Sequence, residues 1–173
     1  YIENYRETIR NLREIGVKVI CYNFMPEFDW TRTSLDRPLS DGSNTMSYDQ
    51  SIVDGITDPQ KFADEIQRQT GKFEMAGWEP ERMTELKRLF TAYSEVSHQD
   101  LKENLRYFLA AVIPVCEECG IKMAIHPDGP PWDIFGLPRI ANSPENFDEI
   151  LAMVDSPSNC ITLCTGSLGA NPN

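Results

Sequence analysis

Apolar residues near the start of the chain recur at spacings of three and four, which is typical of an amphipathic helix. They are Ile2, Tyr5, Ile9, Leu12 and Ile15. Gly16 follows and can adopt the left-handed conformation that ends a helix. The run from Val17 to Phe24 is mostly apolar and predicts a buried parallel strand. This segment is therefore predicted to form a helix–glycine–strand unit.

A longer segment repeats the same order of elements. Its apolar stripe consists of Leu101, Leu105, Phe108, Val112, Val115 and Cys119. Ser97 and Asp100 have the spacing of a capping pair at the start of this helix. Pro114 is expected to kink the helix or break it in two, because proline lacks the N–H that a helix needs. Gly120 is predicted to end it, and residues 121–126 are predicted to form the next strand.

The two units align on their glycines, so that residues 14–19 match residues 118–123. A third unit begins with Ser143 as a cap and Pro144 in the first turn. Its apolar stripe consists of Phe147, Ile150, Leu151 and Val154. Residues 160–164 then form a predicted strand. Alternation of helices and short buried strands predicts an α/β fold with a parallel sheet and helical crossovers.

An open doubly wound sheet and a closed (β/α)8 barrel fit this pattern equally well. A barrel needs about 250 residues, so a chain of 173 would hold only part of one. The chain does not begin with Met and stops just after a predicted strand. We therefore expect residues 1–173 to be a single domain that is a fragment of something longer.

Residues 27–96 lie between the first two strands and are predicted to be a mostly helical insertion. Helices are expected near Pro59–Gln69 and Pro80–Tyr93, and the segment shows too little alternation for strands. An insertion of this length at the carboxyl end of a strand is more often a lid or an oligomer contact than a linker.

The composition narrows the possible partners. The net charge is −11, which disfavours nucleic acid as a partner. No apolar run approaches the roughly 20 residues that a membrane span needs. Five cysteines in mostly apolar settings argue for a reducing cytoplasm rather than a disulfide framework. Among them, Cys116 and Cys119 have redox-motif spacing, but they lie at the end of a predicted helix and are interpreted as core residues.

His126 and Cys164 are the candidate metal ligands. Each ends a predicted strand, and they lie 38 residues apart, which is the length of one strand–helix–strand repeat. Neighbouring parallel strands would bring both side chains to the same end of the sheet, where α/β enzymes build their sites. An imidazole and a thiolate suit a divalent transition metal. The alternative is a hydrogen-bonded structural histidine and a small buried cysteine.

Several motifs in this chain resemble those of the mannonate dehydratase family. The longest, residues 21–33, is similar to the family signature CYNFMPxxDWTRT. Shorter matches occur in family order over nearly the whole chain. They are His126-Pro127-Asp128 with Pro130-Pro131, Gly136-Leu137-Pro138-Arg139-Ile140, and Thr162-Leu163-Cys164-Thr165-Gly166-Ser167.

The resemblance implies a partial (β/α)8 TIM barrel and the conversion of D-mannonate to 2-keto-3-deoxy-D-gluconate in glucuronate catabolism. It also implies Mn²⁺ or Fe²⁺ held by one Cys, two His and one Asp, of which His126 and Cys164 would be two. The other ligands and the catalytic acid and base are then expected downstream of Asn173. Many relatives carry a second aspartate where this chain has Gly129, which puts a carboxylate role at that position in doubt.

Four residues are predicted to contact the substrate, namely Asn23, Trp30, Arg32 and Asp128. The guanidinium of Arg32 could bind a carboxylate with two hydrogen bonds, although a loop salt bridge is an equal alternative. Asn23 lies at the carboxyl end of a predicted strand and could bind a sugar hydroxyl, and Trp30 could wall the site. Asp128 could orient a ligand, contact the substrate or cap its turn. We expect a homo-oligomer.

Two other functions fit the same residues. A metal-dependent sugar isomerase or epimerase of the same barrel superfamily would use a similar pair of ligands. A binding copy without activity would lack the remaining metal ligands.

Overall fold

The computed structural model describes residues 1–26, 32–55, 88–89, 91–93 and 95–171. The chain divides into two compact units, the first comprising Tyr1–Met25, Val96–Trp132 and Pro138–Asn173, and the second Pro26–Glu95 and Asp133–Leu137. In chain order the elements are α1 (Ile2–Glu14), β1 (Val19–Tyr22), β2 (Ser34–Pro38), β3 (Asn44–Ser47), α2 (Gln50–Asp54), α3 (His98–Cys119), β4 (Lys122–Ile125), α4 (Pro144–Met153), β5 (Asn159–Ile161) and α5 (Thr165–Leu168).

The first unit is built on a parallel sheet of three strands in the order β1-β4-β5. Met123 and Ile125 alternate along β4 and therefore lie on the same face of the sheet. Met123 and Ile125 are fully buried in a core that they share with Ile9 of α1, Leu105 of α3 and other apolar residues of the helices. The predicted α/β alternation with a parallel sheet is therefore confirmed in this unit.

Helix α3 begins and ends as the sequence predicts. Ser97 and Asp100 form a reciprocal capping box at its start, and Gly120 takes a φ of 64° at its end. Of the two expected effects of Pro114, a kink or a break, the break is wrong, because α3 is continuous through Pro114. Pro114 removes one helical N–H donor in this turn. Close to this position, Arg6 of α1 joins the two helices, since its Nε donates to the carbonyl oxygen of Ala111 at 2.8 Å.

Helix α4 ends without a glycine, and a side chain from the following strand satisfies its last carbonyls. Asn159 is 4% exposed, and its Nδ2 lies 2.9 Å from the carbonyl oxygen of Ile150. The carbonyl oxygens of Leu151 and Val154 lie 3.3 Å from the same nitrogen. Helix ends leave such carbonyls without helical partners. Asn159 thereby joins the end of α4 to the start of β5.

The second unit contains an antiparallel hairpin formed by β2 and β3. The prediction that this part of the chain holds no strands is therefore wrong. The hairpin turns at Asp41, whose Oδ1 accepts hydrogen bonds from the backbone N–H and the hydroxyl of Ser43 at 2.9 and 2.7 Å. Gly42 takes a φ of 84° in the same turn. The strands are mostly exposed, so turn chemistry rather than apolar alternation specifies them.

The predicted helix near Pro59–Gln69 lies outside the described residues. Of the predicted helix near Pro80–Tyr93, residues 88–89 and 91–93 are described and are helical. Within the described ranges, no helix is both long enough and apolar enough to cross a membrane.

Candidate metal centre

His126 and Cys164 follow neighbouring strands of the parallel sheet. Strand β4 ends at Ile125, which pairs with Ile161 at the end of β5. The hydrogen-bond ladder continues just beyond, because His126 N–H donates to the carbonyl oxygen of Tyr22 at 2.8 Å. The N–H of Thr162 donates to the carbonyl oxygen of Ile125 at the same distance. His126 and Cys164 thus follow the carboxyl ends of paired strands, and the side chain of His126 makes the smallest of the contributions to the pKa of Cys164.

The hydrogen bonds of His126 determine which ring nitrogen can bind a ligand. Its Nδ1 lies 2.7 Å from the carbonyl oxygen of Pro127. A carbonyl oxygen can only accept, so Nδ1 carries the proton and the lone pair of a neutral ring lies on Nε2. Histidines that bind metals usually donate their other N–H to a carboxylate or a backbone carbonyl. The ring of His126 is therefore held in the tautomer that a metal ligand requires.

Cys164 sits where several donors favour its thiolate. It is the N-cap residue of α5 and is half-buried. The backbone N–H and then the hydroxyl of Ser167 lower the pKa of Cys164 from 9.0 to about 7, with smaller contributions from the N–H of Gly166 and the side chain of His126. Gly166 is close enough that an added Cβ would lie 3.8 Å from the sulfur. The thiolate is the form that binds metals, so Cys164 is prepared for that role near neutral pH.

Asp128 anchors the loop that follows His126. Its side chain is 1% exposed, and its Oδ2 accepts hydrogen bonds from the N–H groups of Ile140 and Ala141 at 2.9 and 2.7 Å. Its own N–H donates to the carbonyl oxygen of Ala141 at 2.8 Å. These contacts match the turn-capping alternative of the sequence analysis. They join the two ends of the loop immediately beyond the candidate ligand.

The other predicted substrate contacts are placed differently. Asn23 directly follows β1, is exposed, and lies at the same end of the sheet as His126. Arg32 belongs to the second unit and is half-buried. Trp30 lies outside the described residues.

The described part of the chain contains no group of three or more His, Cys, Asp or Glu side chains that could hold a metal ion. His126 and Cys164 are therefore a pair of donors rather than a complete coordination shell. Cys116 and Cys119 are buried in the core, as predicted, and burial is the main cause that raises the pKa of Cys116 to about 11.

Sequence reasoning missed Ser167, which is 1% exposed and contributes more than any other residue to the low pKa of Cys164. The three-residue spacing between Cys164 and Ser167 was a signal for this contribution. A residue three positions after an N-cap lies in the first turn of the helix and faces the capping side chain. The run Cys164-Thr165-Gly166-Ser167 has this spacing.

Comparison with known proteins identifies the family. The profile of the D-mannonate dehydratase (UxuA) family matches residues 1–173. Mannonate dehydratase of Thermotoga neapolitana is 57% identical over 172 residues, which cover 99% of this chain and 48% of that protein. The enzyme of Geobacillus thermodenitrificans is 55% identical over 173 residues, which cover 100% of this chain and 46% of that protein.

A solved structure of the same family is also similar to this chain. The crystal structure of mannonate dehydratase from Streptococcus suis serotype 2 is 41% identical and superposes with a TM-score of 0.79, covering 99% of this chain and 43% of that one. The chain thus spans about half the length of the relatives that it matches. These matches show that the chain belongs to the D-mannonate dehydratase family.

Proposed function

We propose that the full-length gene product is a D-mannonate dehydratase, a hydro-lyase that converts D-mannonate to 2-keto-3-deoxy-D-gluconate in glucuronate catabolism. The observation that carries this proposal is the pairing of His126 and Cys164 at the ends of neighbouring parallel strands. Membership of the family supports D-mannonate as the substrate. The absence of a membrane-spanning helix among the described residues is compatible with the cytoplasmic location that we propose.

The chemistry of the donor pair supports a bound Mn²⁺ or Fe²⁺. His126 presents a lone pair on Nε2, and Cys164 has a pKa near neutrality. A neutral imidazole and a thiolate are both ligands for such ions. When bound, the ion would supply Lewis-acid charge next to the oxygens of the substrate. We propose that the remaining His and Asp ligands, with the catalytic acid and base, lie beyond Asn173.

Residues of this chain have three further roles in the proposal. Asp128 holds the loop after β4 and so limits the movement of His126. The guanidinium of Arg32 binds the carboxylate of the sugar acid, for which its two parallel N–H donors are suited. Asn23 donates a hydrogen bond to a sugar hydroxyl.

The architecture that we propose is a (β/α)8 barrel to which this chain contributes part of the strands. Three parallel strands, each following a helix, support this arrangement, and so does the placement of both donors at the carboxyl ends of strands. We further propose that residues 27–96 act as a lid or an oligomer contact in a homo-oligomer.

The direct test is to incubate the full-length gene product with D-mannonate and Mn²⁺ and to measure the 2-keto-3-deoxy acid. We expect the product to accumulate and a chelator to abolish its formation. Formation of an isomeric sugar acid instead would favour the isomerase or epimerase. No reaction with bound mannonate would favour the binding copy.

The ligands are tested by measuring the metal content of His126→Ala and Cys164→Ala. We expect both variants to lose metal. Cys160→Ala is the matched control, because Cys160 is a half-buried cysteine in β5 whose sulfur lies near the carbonyl oxygen of Pro157. Unchanged metal content in both ligand variants would remove these residues from the site.

A further inference from the structure

Thr162 joins three strands of the parallel sheet through one hydroxyl group. The residue directly follows β5 and is half-buried. Its Oγ1 donates to the carbonyl oxygen of Ala124 in β4 at 3.2 Å and also lies 3.2 Å from the sulfur of Cys21 in β1. Strand β4 lies between β1 and β5, so the contact with Cys21 crosses a whole strand. Ala124 pairs with Cys21, and its methyl side chain is small enough for the contact to pass over it.

The hydrogen atoms of this contact can be assigned to their partners. A threonine hydroxyl has one hydrogen to donate, and a carbonyl oxygen can only accept. The hydroxyl hydrogen of Thr162 is therefore used by Ala124, and the thiol of Cys21 donates to Oγ1 of Thr162. Because a thiol is a weak donor, the bond to Ala124 is the stronger of the two. Together the two bonds fix the direction of the Thr162 hydroxyl.

The hydroxyl joins β4 and β5 close to the point at which both chains leave the sheet. Pro127 directly follows His126, and Cys164 is already the N-cap of α5. His126 lies two residues beyond Ala124, and residues two apart in an extended chain face the same side of a sheet. Cys164 likewise lies two residues beyond Thr162. The bond therefore ties the two strands together directly before the two candidate ligands.

We propose that Thr162 is a positioning residue that sets the separation of His126 and Cys164 by holding the ends of β4 and β5 together. This inference rests on the proposed function, because it requires both residues to be ligands of one metal ion. A metal ion binds its ligands at fixed distances, so the spacing of the two chains decides how well both donors reach it. Cys21 assists by keeping the hydroxyl directed at Ala124.

A threonine that only stabilises the sheet would behave differently. In that case the loss of its hydroxyl lowers the free energy of unfolding and leaves the metal affinity of the folded protein unchanged. If the hydroxyl sets the spacing of the donors, its loss weakens metal binding in protein that is fully folded. Thr162→Val separates the two cases, because valine keeps the β-branched shape and lacks the hydroxyl.

The experiment titrates the full-length gene product with Co²⁺ after bound metal has been removed, and circular dichroism verifies that each variant is folded. We expect Thr162→Val to bind Co²⁺ about 10-fold more weakly, which corresponds to the loss of about one hydrogen bond. Thr162→Ser keeps the hydroxyl and is expected to bind like the parent. Thr8→Val is the matched control, because it removes an exposed threonine hydroxyl that donates to the carbonyl oxygen of Asn4 at 2.9 Å in α1. Its affinity should equal that of the parent.

Cys21→Ala provides a second, independent measurement. Removing the thiol deletes only the weaker bond, so we expect the affinity for Co²⁺ to fall by about 3-fold. If Cys21 acts through Thr162, the double variant with Thr162→Val should bind no more weakly than Thr162→Val alone. Full additivity of the two effects would overturn the action of Cys21 through Thr162.

A parent that binds Co²⁺ and a folded Thr162→Val variant of the same affinity would overturn the role of Thr162 and leave the metal site intact. A Thr162→Ser variant as weak as Thr162→Val would also overturn it, since the hydroxyl is then not the cause. A parent that does not bind Co²⁺ would overturn the proposed metal site, and this inference with it. If Thr162→Val does not fold, Cys21→Ala decides: a weaker affinity supports the proposal, and an unchanged affinity overturns it.

Discussion

At the scale of single residues, Asp128 combines burial with two short backbone hydrogen bonds to one oxygen. Replacing it by Ala leaves the N–H groups of Ile140 and Ala141 without this acceptor. We expect Asp128→Ala to lower the free energy of unfolding by about 2–3 kcal/mol, because the lost acceptor is charged. Asp128→Asn keeps an oxygen and should lose less. Urea unfolding of the full-length gene product measures both.

Asp155→Asn serves as the control for these variants, because Asp155 is exposed. Its effect should stay within about 0.5 kcal/mol. An equally small effect for Asp128→Ala would show that the loop does not depend on this carboxylate.

The cysteines should differ in reactivity when the protein is free of metal. The donors around Cys164 lower its pKa to about 7, whereas burial raises the pKa of Cys116 to about 11. The thiolate is the reactive form. We therefore expect the rate of Cys164 alkylation by iodoacetamide to rise with pH to a half-maximum near 7, while Cys116 stays unlabelled in the folded chain.

Mass spectrometry of peptides after short labelling times measures both rates. Saturating Mn²⁺ should slow the labelling of Cys164. A half-maximum near the ordinary thiol pKa would contradict the influence of Ser167 and its neighbours on this sulfur.

At the scale of elements, the start of α3 should respond to acid. The hydroxyl and then the backbone N–H of Ser97 lower the pKa of Asp100 from its ordinary value. A carboxyl with a lowered pKa stabilises the fold above its unfolded pKa, and this stabilisation is lost as the pH falls through the folded value. We expect the difference in unfolding free energy between the parent and Asp100→Asn to be constant above about pH 5 and to shrink below about pH 4.

Unfolding curves at a series of pH values measure this difference. Ser97→Ala should remove most of the same pH dependence, because it deletes the main cause of the pKa shift. A difference that persists unchanged at pH 2 would contradict the assignment.

The end of α4 depends on one amide. Asn159→Ala removes the donor that reaches the carbonyl oxygens of Ile150, Leu151 and Val154. We expect a loss of about 1–3 kcal/mol in the free energy of unfolding, since buried acceptors lose their partner. Asn146→Ala, which removes a half-buried amide with a single partner in Asn142, should cost less. Equal effects of the two variants would contradict the capping role.

The elements also show what a sequence can specify. The helices and strands of the first unit were predictable because their apolar stripes and caps, such as Ser97 and Gly120, are local in the chain. The hairpin of the second unit was not, because β2 and β3 are mostly exposed and carry no apolar alternation. Its only local signal was the turn at Asp41 and Gly42. The pairing of Arg6 with Ala111 was equally hidden, since it joins residues 105 positions apart.

The candidate site also has features that the sequence could predict and features that it could not. The approach of His126 and Cys164 followed from strand order and from the rule that parallel strands end together. The role of Asp128 depends on a loop that closes onto Ile140 and Ala141, and no local pattern encodes that closure. The buried hydroxyl of Ser167 depends on the packing of a helix of only four residues.

At the scale of the whole molecule, the helices of the first unit pack against one face of the sheet. On the opposite face Cys21, Ala124 and Cys160 lie side by side in register, Cys21 is exposed, and Val19 is 54% exposed. Among the described residues, β1 and β5 each have a neighbour on one side only. Unpaired strand edges promote association between chains. We expect residues 1–173, produced alone, to self-associate.

Analytical ultracentrifugation over a range of concentrations measures this association. Val19→Lys, which adds a charge to the exposed face, should reduce it. A monomer at all concentrations, with cooperative unfolding, would contradict the expectation.

The hydrogen bond from His126 to the carbonyl of Pro127 has a consequence for how this protein can change during evolution. The acceptor belongs to the main chain, which every amino acid shares, so no single substitution at position 127 can delete it. The tautomer of His126 is thus protected against point mutation at its own partner. It is vulnerable instead to changes that redirect the loop, and the side chain that holds the loop is Asp128, two positions along the chain.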